Sequence, residues 1–199
     1  MKKKVIVYSD YICPFCYIGK NRIDRIKKEF GVEVEWRGLE IHPETPKEGQ
    51  TLEDMGVNPH YVEMVREHVK RLAKEENLDL KPHTRISNSK MALQLAEFAK
   101  ENEKFDEYHD EVFKAYWMDV RDIGNPDILF DIIQKIGLDP NEARNFLEGG
   151  KAAQKMGEFL SEAKALGIDG VPTFLIGSKI VEGAQPYEVI KRAVNQRIR

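Results

Sequence analysis

Apolar and polar positions along the chain switch between two periods. Val5–Ser9 is a short, β-branched and apolar run, the pattern of a buried strand. After it, Ile18, Ile23, Ile26 and Phe30 recur at helical spacing and predict an amphipathic helix over residues 14–30. Gly31 is placed to end it. Val32-Glu33-Val34-Glu35-Trp36 alternates and predicts a second strand. Pro43, Pro46 and Gly49 make residues 39–49 a loop.

From about residue 58 to 166 the pattern is helical. Tyr61–Glu76, Ser87–Glu101, Glu103–Trp117, Asp127–Ile136, Asn141–Leu147 and Lys151–Leu166 carry the 3.6-residue period. Asn58-Pro59, Asn125-Pro126 and Asp139-Pro140 mark helix starts, with the polar residue as cap and the proline in the first turn. Past Gly167-Ile168-Asp169-Gly170 the alternation returns. Val171–Ile176 and Lys179–Val181 predict a hairpin across Gly177-Ser178. Pro186 opens a last helix with Val189, Ile190, Ala193 and Val194 on one face, and Lys191-Arg192 and Arg197-Ile198-Arg199 form its basic end. The order is strand, helix, strand, long helical stretch, hairpin, helix. That is a small α/β sheet with a helical insertion in its middle.

Composition narrows what such a chain does. The 199 residues are 41% hydrophobic and 33% charged, which is ordinary globular usage. The net charge of −3 argues against nucleic acid, whose phosphates need clustered cations. No window reaches the roughly 20 apolar residues of a membrane helix, so no membrane partner is expected. Met1-Lys2-Lys3-Lys4 runs straight into the first strand without an apolar secretory core, and a cytoplasmic location is the expectation.

There are two cysteines, Cys13 and Cys16, in the order Cys13-Pro14-Phe15-Cys16. The spacing fits a redox pair or half of a metal site. A structural zinc site takes four ligands. The chain has no second such pair, and His42, His60, His68, His83 and His109 show no metal-site spacing, so no metal is expected. The motif falls between a strand and a helix. Pro14 suits the first helical position, which makes Cys13 the N-cap. The backbone N–H groups of Phe15 and Cys16 are then expected to point toward its sulfur. Cysteines so placed have pKa values lowered to about 3.5–7.5. Cys16 lies one turn on, on the same face, within reach of a disulfide. Cys13 is therefore read as nucleophile and Cys16 as resolving thiol. By its residues alone, Pro172 in Val171-Pro172-Thr173 reads as a trans edge-strand proline.

These pieces together resemble the thioredoxin superfamily in its DsbA-like branch. More narrowly they resemble the FrnE-type and 2-hydroxychromene-2-carboxylate isomerase-like group. The resemblance runs through Asp10–Gly19, Ile41–Pro46, Asn88-Ser89, Phe113–Tyr116, Gly167–Phe174 and Gly183–Pro186. It implies a thioredoxin fold with a large all-helical domain inserted between the second and third strands. Residues 1–50 and 151–199 would form the thioredoxin-like domain, and residues 51–150 the insertion covering the redox site. It also implies that Pro172 is cis against the cysteines and that the Val171 backbone pairs with an extended substrate segment. Asn88 reads as a helix cap; in glutathione-using relatives such a residue approaches the thiol, so it joins Pro14, Phe15, Val171 and Pro172 as a substrate-binding candidate.

Two departures matter. The isomerases and kappa-class transferases resemble this chain but carry serine where Cys13 stands, which favours dithiol–disulfide exchange here. Thioredoxin and DsbA place a buried acid six residues before the first cysteine, where this chain has Val7. Asp10, Glu40 and His42 are the nearby substitutes, each read first as a surface or turn residue. Pro14-Phe15 sets no cation beside the thiolate, so an intermediate potential is expected within the span of about −270 to −120 mV for these folds. The resulting expectation is a thiol–disulfide oxidoreductase or disulfide isomerase with protein or small-molecule disulfides as partners. It needs no cofactor, has glutathione available as thiol co-substrate, and is a monomer or homodimer. The alternative is a glutathione-dependent isomerase or transferase acting on small aromatic molecules. The aromatics Phe98, Phe105, Tyr108, Phe113, Tyr116 and Trp117 read as core, Lys70–Glu76 as a solvated helix face, and His68 and His109 as exposed.

Overall fold

The computed structural model describes residues 4–196. Arg197-Ile198-Arg199, the expected basic end of the last helix, lie outside the described residues. Strand β1 (Lys4–Ser9) leads into helix α1 (Pro14–Phe30) and then strand β2 (Glu33–Gly38). Gly31 ends α1 in the left-handed region at φ 62°, where its N–H donates to the Lys27 carbonyl. Next come β3 (Gln50–Thr51), α2 (Pro59–Glu75), β4 (Arg85–Ile86) and α3 (Lys90–Glu101). Helices α4 (Phe105–Trp117), α5 (Pro126–Lys135), α6 (Pro140–Glu148) and α7 (Lys151–Ala165) follow. Strands β5 (Thr173–Ile176) and β6 (Lys179–Glu182) and helix α8 (Tyr187–Asn195) close the order.

The capping signals act as the sequence suggests. The side chains of Asn58, Asn125 and Asp139 accept from His60, Asp127 and Asn141 N–H at 2.9, 2.9 and 2.8 Å, each with proline in the first turn. Helix α3 starts three residues later than its period predicts. Ser87 is held by Asp122 through a 2.6 Å hydrogen bond, and Arg85–Ile86 pairs with Gln50–Thr51 in a two-residue ribbon. Gly49 lies against that ribbon at φ 71°, where a Cβ would come within 2.6 Å of the Ile86 carbonyl.

The main sheet has the order β2-β1-β5-β6, with β1 parallel to β2 and antiparallel to β5. Its two faces follow strand alternation. Val5 and Val7 pack with Ile23 and Ile26 of α1 and Ile190 and Val194 of α8. Tyr8 faces the other way, toward Ala163 of α7 and Ile168. This is a thioredoxin fold carrying helices α2–α7 between its second and third sheet strands. The third core cluster belongs mostly to α3–α6, and it takes in Tyr11, Ile12, Cys13, Cys16 and Tyr17. The cysteines thus lie where the sheet's first loop meets the inserted helices.

Arg22 of α1 locks the two layers together. Its side chain is buried and donates to Glu76 at 2.8 Å, Glu75 at 3.0 Å, and the carbonyls of Ala184 and Gln185 at 2.7 and 2.9 Å. Glu76 was expected on a solvated face. It is buried instead, because this guanidinium reaches it across the helix pair.

Candidate active site

Cys13 occupies the N-cap of α1 with Pro14 behind it, but its side chain caps nothing. The expected N–H bonds from Phe15 and Cys16 to its sulfur are not made. The Cys16 N–H donates to the Cys13 carbonyl at 3.1 Å. The Cys13 thiol points across the helix end and donates to the Val171 carbonyl at 3.5 Å. Sequence positions 158 apart therefore meet at the reactive sulfur.

The Val171–Pro172 bond is cis, as the family resemblance implies and the residues alone do not. Pro172 seats on α1 at Gly19, where a Cβ would come within 3.3 Å of its ring and 3.0 Å of Phe174. Gly19 is one turn past Cys16 and leaves room for that ring. The Pro172 carbonyl accepts from Gly183 N–H at 2.8 Å, so the segment is fixed from the hairpin side as well.

The two sulfurs differ in environment. Both are free thiols. Cys13 is 4% exposed and Cys16 is fully buried. Burial drives the Cys16 pKa well above the usual thiol value, and the neighbouring Cys13 pushes it the same way. The Asp10 N–H, which donates to the Cys16 sulfur at 3.5 Å, opposes the rise, as does the Ser9 hydroxyl. Cys16 is thus the more deeply buried of the two, and its protonated form is favoured.

Asp10 keeps the turn role expected of it but not the surface one. It is fully buried beneath the motif. Its carboxylate accepts from Ile12 N–H at 3.3 Å and Ile41 N–H at 2.9 Å, tying the loop after β2 to the turn before Cys13. Burial pushes its pKa up to about 6 against those hydrogen bonds and one from Ser89. Glu40 is half-buried, and burial and the Asp10 charge raise its pKa as well. His42 pairs with Glu44 at 3.2 Å.

The insertion holds the motif through its aromatic side chains. Trp117 Nε1–H donates to the Tyr11 carbonyl at 2.9 Å, and Tyr17 stacks on Phe113 at 4.9 Å. The Tyr11 hydroxyl meets His109 Nδ1 at 3.0 Å. His109, expected on an exposed face, is buried among Tyr11, Trp36, Phe105 and Phe113, and burial drives its pKa far down, so the ring is neutral. The six aromatics of α3 and α4 do pack in or against the core. Phe15, between the two cysteines, has its ring 5.7 Å from that of His68, which is exposed on α2. Asn88 is spent elsewhere. Its amide donates to the Thr45 carbonyl at 2.6 Å and its oxygen accepts from Lys90 N–H at 3.1 Å, bracing the loop against α3. Among the described residues no cluster of three or more His, Cys, Asp or Glu could hold a metal, and no helix is long and apolar enough to cross a membrane.

A strand-to-helix turn carrying two thiols, faced by a cis-proline segment, decides the comparison with known folds. The DSBA-like thioredoxin domain model matches residues 4–195. The chain belongs to the DSBA-like thioredoxin domain family. The uncharacterized protein YwbO of Bacillus subtilis (strain 168) is 30% identical over 197 residues, which is 98% of this chain and 97% of that one. Among solved structures, the probable DsbA oxidoreductase SCO1869 of Streptomyces coelicolor superposes with a TM-score of 0.86 at 29% identity, covering 98% of this chain and 89% of that one. A 2-hydroxychromene-2-carboxylate isomerase superposes with a TM-score of 0.80 at 17% identity, covering 98% and 95%, a likeness of fold. Family membership makes this an enzyme of the redox kind in general terms.

Proposed function

We propose that the chain is a thiol–disulfide oxidoreductase working through Cys13 and Cys16. The observation that carries this reading is the asymmetric pair: an outer Cys13 thiol facing the Val171 carbonyl, and a buried Cys16 thiol one turn behind it. The Cys13 thiolate attacks one sulfur of a substrate disulfide, and the other sulfur leaves as a thiolate that takes up a proton. The mixed disulfide joins Cys13 to the substrate. Cys16 then loses its proton and attacks the Cys13 sulfur. The Cys13–substrate bond breaks, the substrate leaves reduced, and Cys13 and Cys16 are joined. The reverse sequence oxidises a dithiol substrate.

Protein or small-molecule disulfides are the proposed substrates, glutathione is the proposed thiol that resets the pair, and the cytoplasm is the proposed setting. Pro14, Phe15, Val171 and Pro172 are the proposed contacts of the substrate disulfide. Asn88 braces the loop beside it. Insulin reduction tests the reading: turnover requires both thiols, and retention of full exchange by Cys13→Ser overturns it. A glutathione-dependent isomerase shares the fold, but its chemistry needs no second thiol. Activity on a small aromatic substrate that requires glutathione and survives Cys16→Ala would establish that alternative.

A further inference from the structure

Val7 leaves the strand without the acid that would accept the Cys16 proton in thioredoxin-like relatives. A different set of buried polar groups lies nearby. Ser9, two residues on along β1, has a buried hydroxyl close enough to the Cys16 sulfur to oppose the rise of its pKa, but it completes a hydrogen bond with no partner. It also lines a cavity of about 20 Å³ between β1, β2, α3 and α4. The cavity is the size of a single water molecule. Glu97 and Lys100 of α3 and His109 of α4 line it too. His109 Nε2 is a second buried polar atom without a partner. Glu97 is 2% exposed, and its Oε1 is held by Lys100 Nζ at 2.5 Å. Its Oε2 lies 3.2 Å from Lys155 Nζ at an angle that forms no hydrogen bond.

Buried polar groups left so are expensive, and the three residues that carry them line one water-sized space. An apolar cavity stays dry, whereas one offering a hydroxyl, a carboxylate and an imidazole nitrogen supplies the two to four partners that an internal water needs. We propose that this cavity is a water site held by Ser9, Glu97 and His109, and that it is the exit for the Cys16 proton. This rests on the dithiol reading above. The proton passes from the Cys16 sulfur through the Ser9 hydroxyl to the water, and the water passes a proton to the Glu97 carboxylate. The electron pair left on Cys16 forms the bond to Cys13 as the Cys13–substrate bond breaks, and Glu97 later returns its proton to solvent. Ser9 and Glu97 are proton-transfer residues of the second step in this scheme, and neither touches the substrate. The insertion would thus supply the carboxylate that the strand lacks.

An aryl disulfide whose released thiolate is coloured separates the two steps. The first equivalent reports attack by Cys13, and the second reports resolution by Cys16. Glu97→Gln and Ser9→Ala should leave the first phase at the wild-type rate, which also shows that the site is folded. They should slow the second phase at neutral pH, by about a hundredfold for Glu97→Gln, the low end of what positioned proton transfer supplies. The second phase should recover as pH rises and hydroxide takes the proton. The charges facing the relay are Lys100 on α3, Lys155 on α7, Arg37 on β2 and, toward His109, Lys20 and Lys27 on α1. Asp10, whose N–H meets the Cys16 sulfur, is the other acid at this end, and Asp10→Asn should not reproduce the delay. A wild-type second phase in both Ser9→Ala and Glu97→Gln overturns the proposal, as does equal slowing of both phases. If the wild-type chain releases no second equivalent, the dithiol reading fails first.

Discussion

Replacing Asp10 with asparagine removes a buried carboxyl group from beneath the motif while keeping its shape. The group is fully buried, and its pKa is pushed up to about 6 from 3.8. A carboxyl whose pKa is raised on folding stabilises the native state only while it holds its proton. That stability is complete below the unfolded value of 3.8 and is lost as pH rises through about 6. A rise of about 2 units corresponds to about 3 kcal/mol. Asparagine has one acceptor oxygen for the two N–H groups of Ile12 and Ile41, so the variant carries a pH-independent loss of about 1–3 kcal/mol. The difference between wild type and Asp10→Asn reports the titration of Asp10 together with Glu40, whose pKa the Asp10 charge raises, while more distant groups cancel. Urea unfolding of the reduced proteins between pH 3.5 and pH 8 should show the wild-type advantage shrinking by about 3 kcal/mol as pH rises. A flat difference, or a wild-type advantage that grows toward neutrality, would refute the claim that Asp10 is a buried acid opposed by desolvation.

Other outcomes follow from single contacts. Arg22→Ala should destabilise by about 1–3 kcal/mol in urea unfolding, because it leaves the Glu76 carboxylate with Arg25 alone and frees two carbonyls. Gly19→Ala should displace Pro172 and Phe174, and its overpacking of about 1–3 kcal/mol is partly offset by about 1 kcal/mol of better helix propensity. Its exchange rate should fall more than its stability suggests, and an unchanged rate would show that Pro172 does not need this seat. Alkylation of the reduced native protein at neutral pH should modify Cys13 and spare Cys16 until denaturant is added, as their burial dictates; rapid labelling of Cys16 would contradict it.

Hydrophobic period and capping chemistry make most of the fold legible in the sequence. Asn58, Asn125 and Asp139 announced their helices because an N-cap is a local interaction. The ribbon of Gln50–Thr51 with Arg85–Ile86 was invisible, since two residues carry no alternation. Cys13 and Cys16 were legible as a pair from spacing alone. The cis-proline segment beside the cysteines is legible only through family likeness, and the bond from the Cys13 thiol to the Val171 carbonyl is legible through neither, as local sequence does not report a contact 158 positions away. Asp10, His109 and Glu76 were misplaced for one reason. Charged and polar residues default to the surface, and their burial here depends on partners from other elements: Ile41, Tyr11 and Arg22. The cavity beside Ser9 arises the same way, from two strands and two helices that no sequence window contains.

The central claim is tested most directly by trapping the mixed disulfide. Cys16→Ala incubated with a disulfide-linked peptide should accumulate one covalent adduct, and mass mapping should place the peptide on Cys13. Cys13→Ser treated alike should carry none. No adduct on Cys16→Ala, or exchange at the wild-type rate by Cys13→Ser, would contradict a mechanism in which Cys13 attacks and Cys16 resolves.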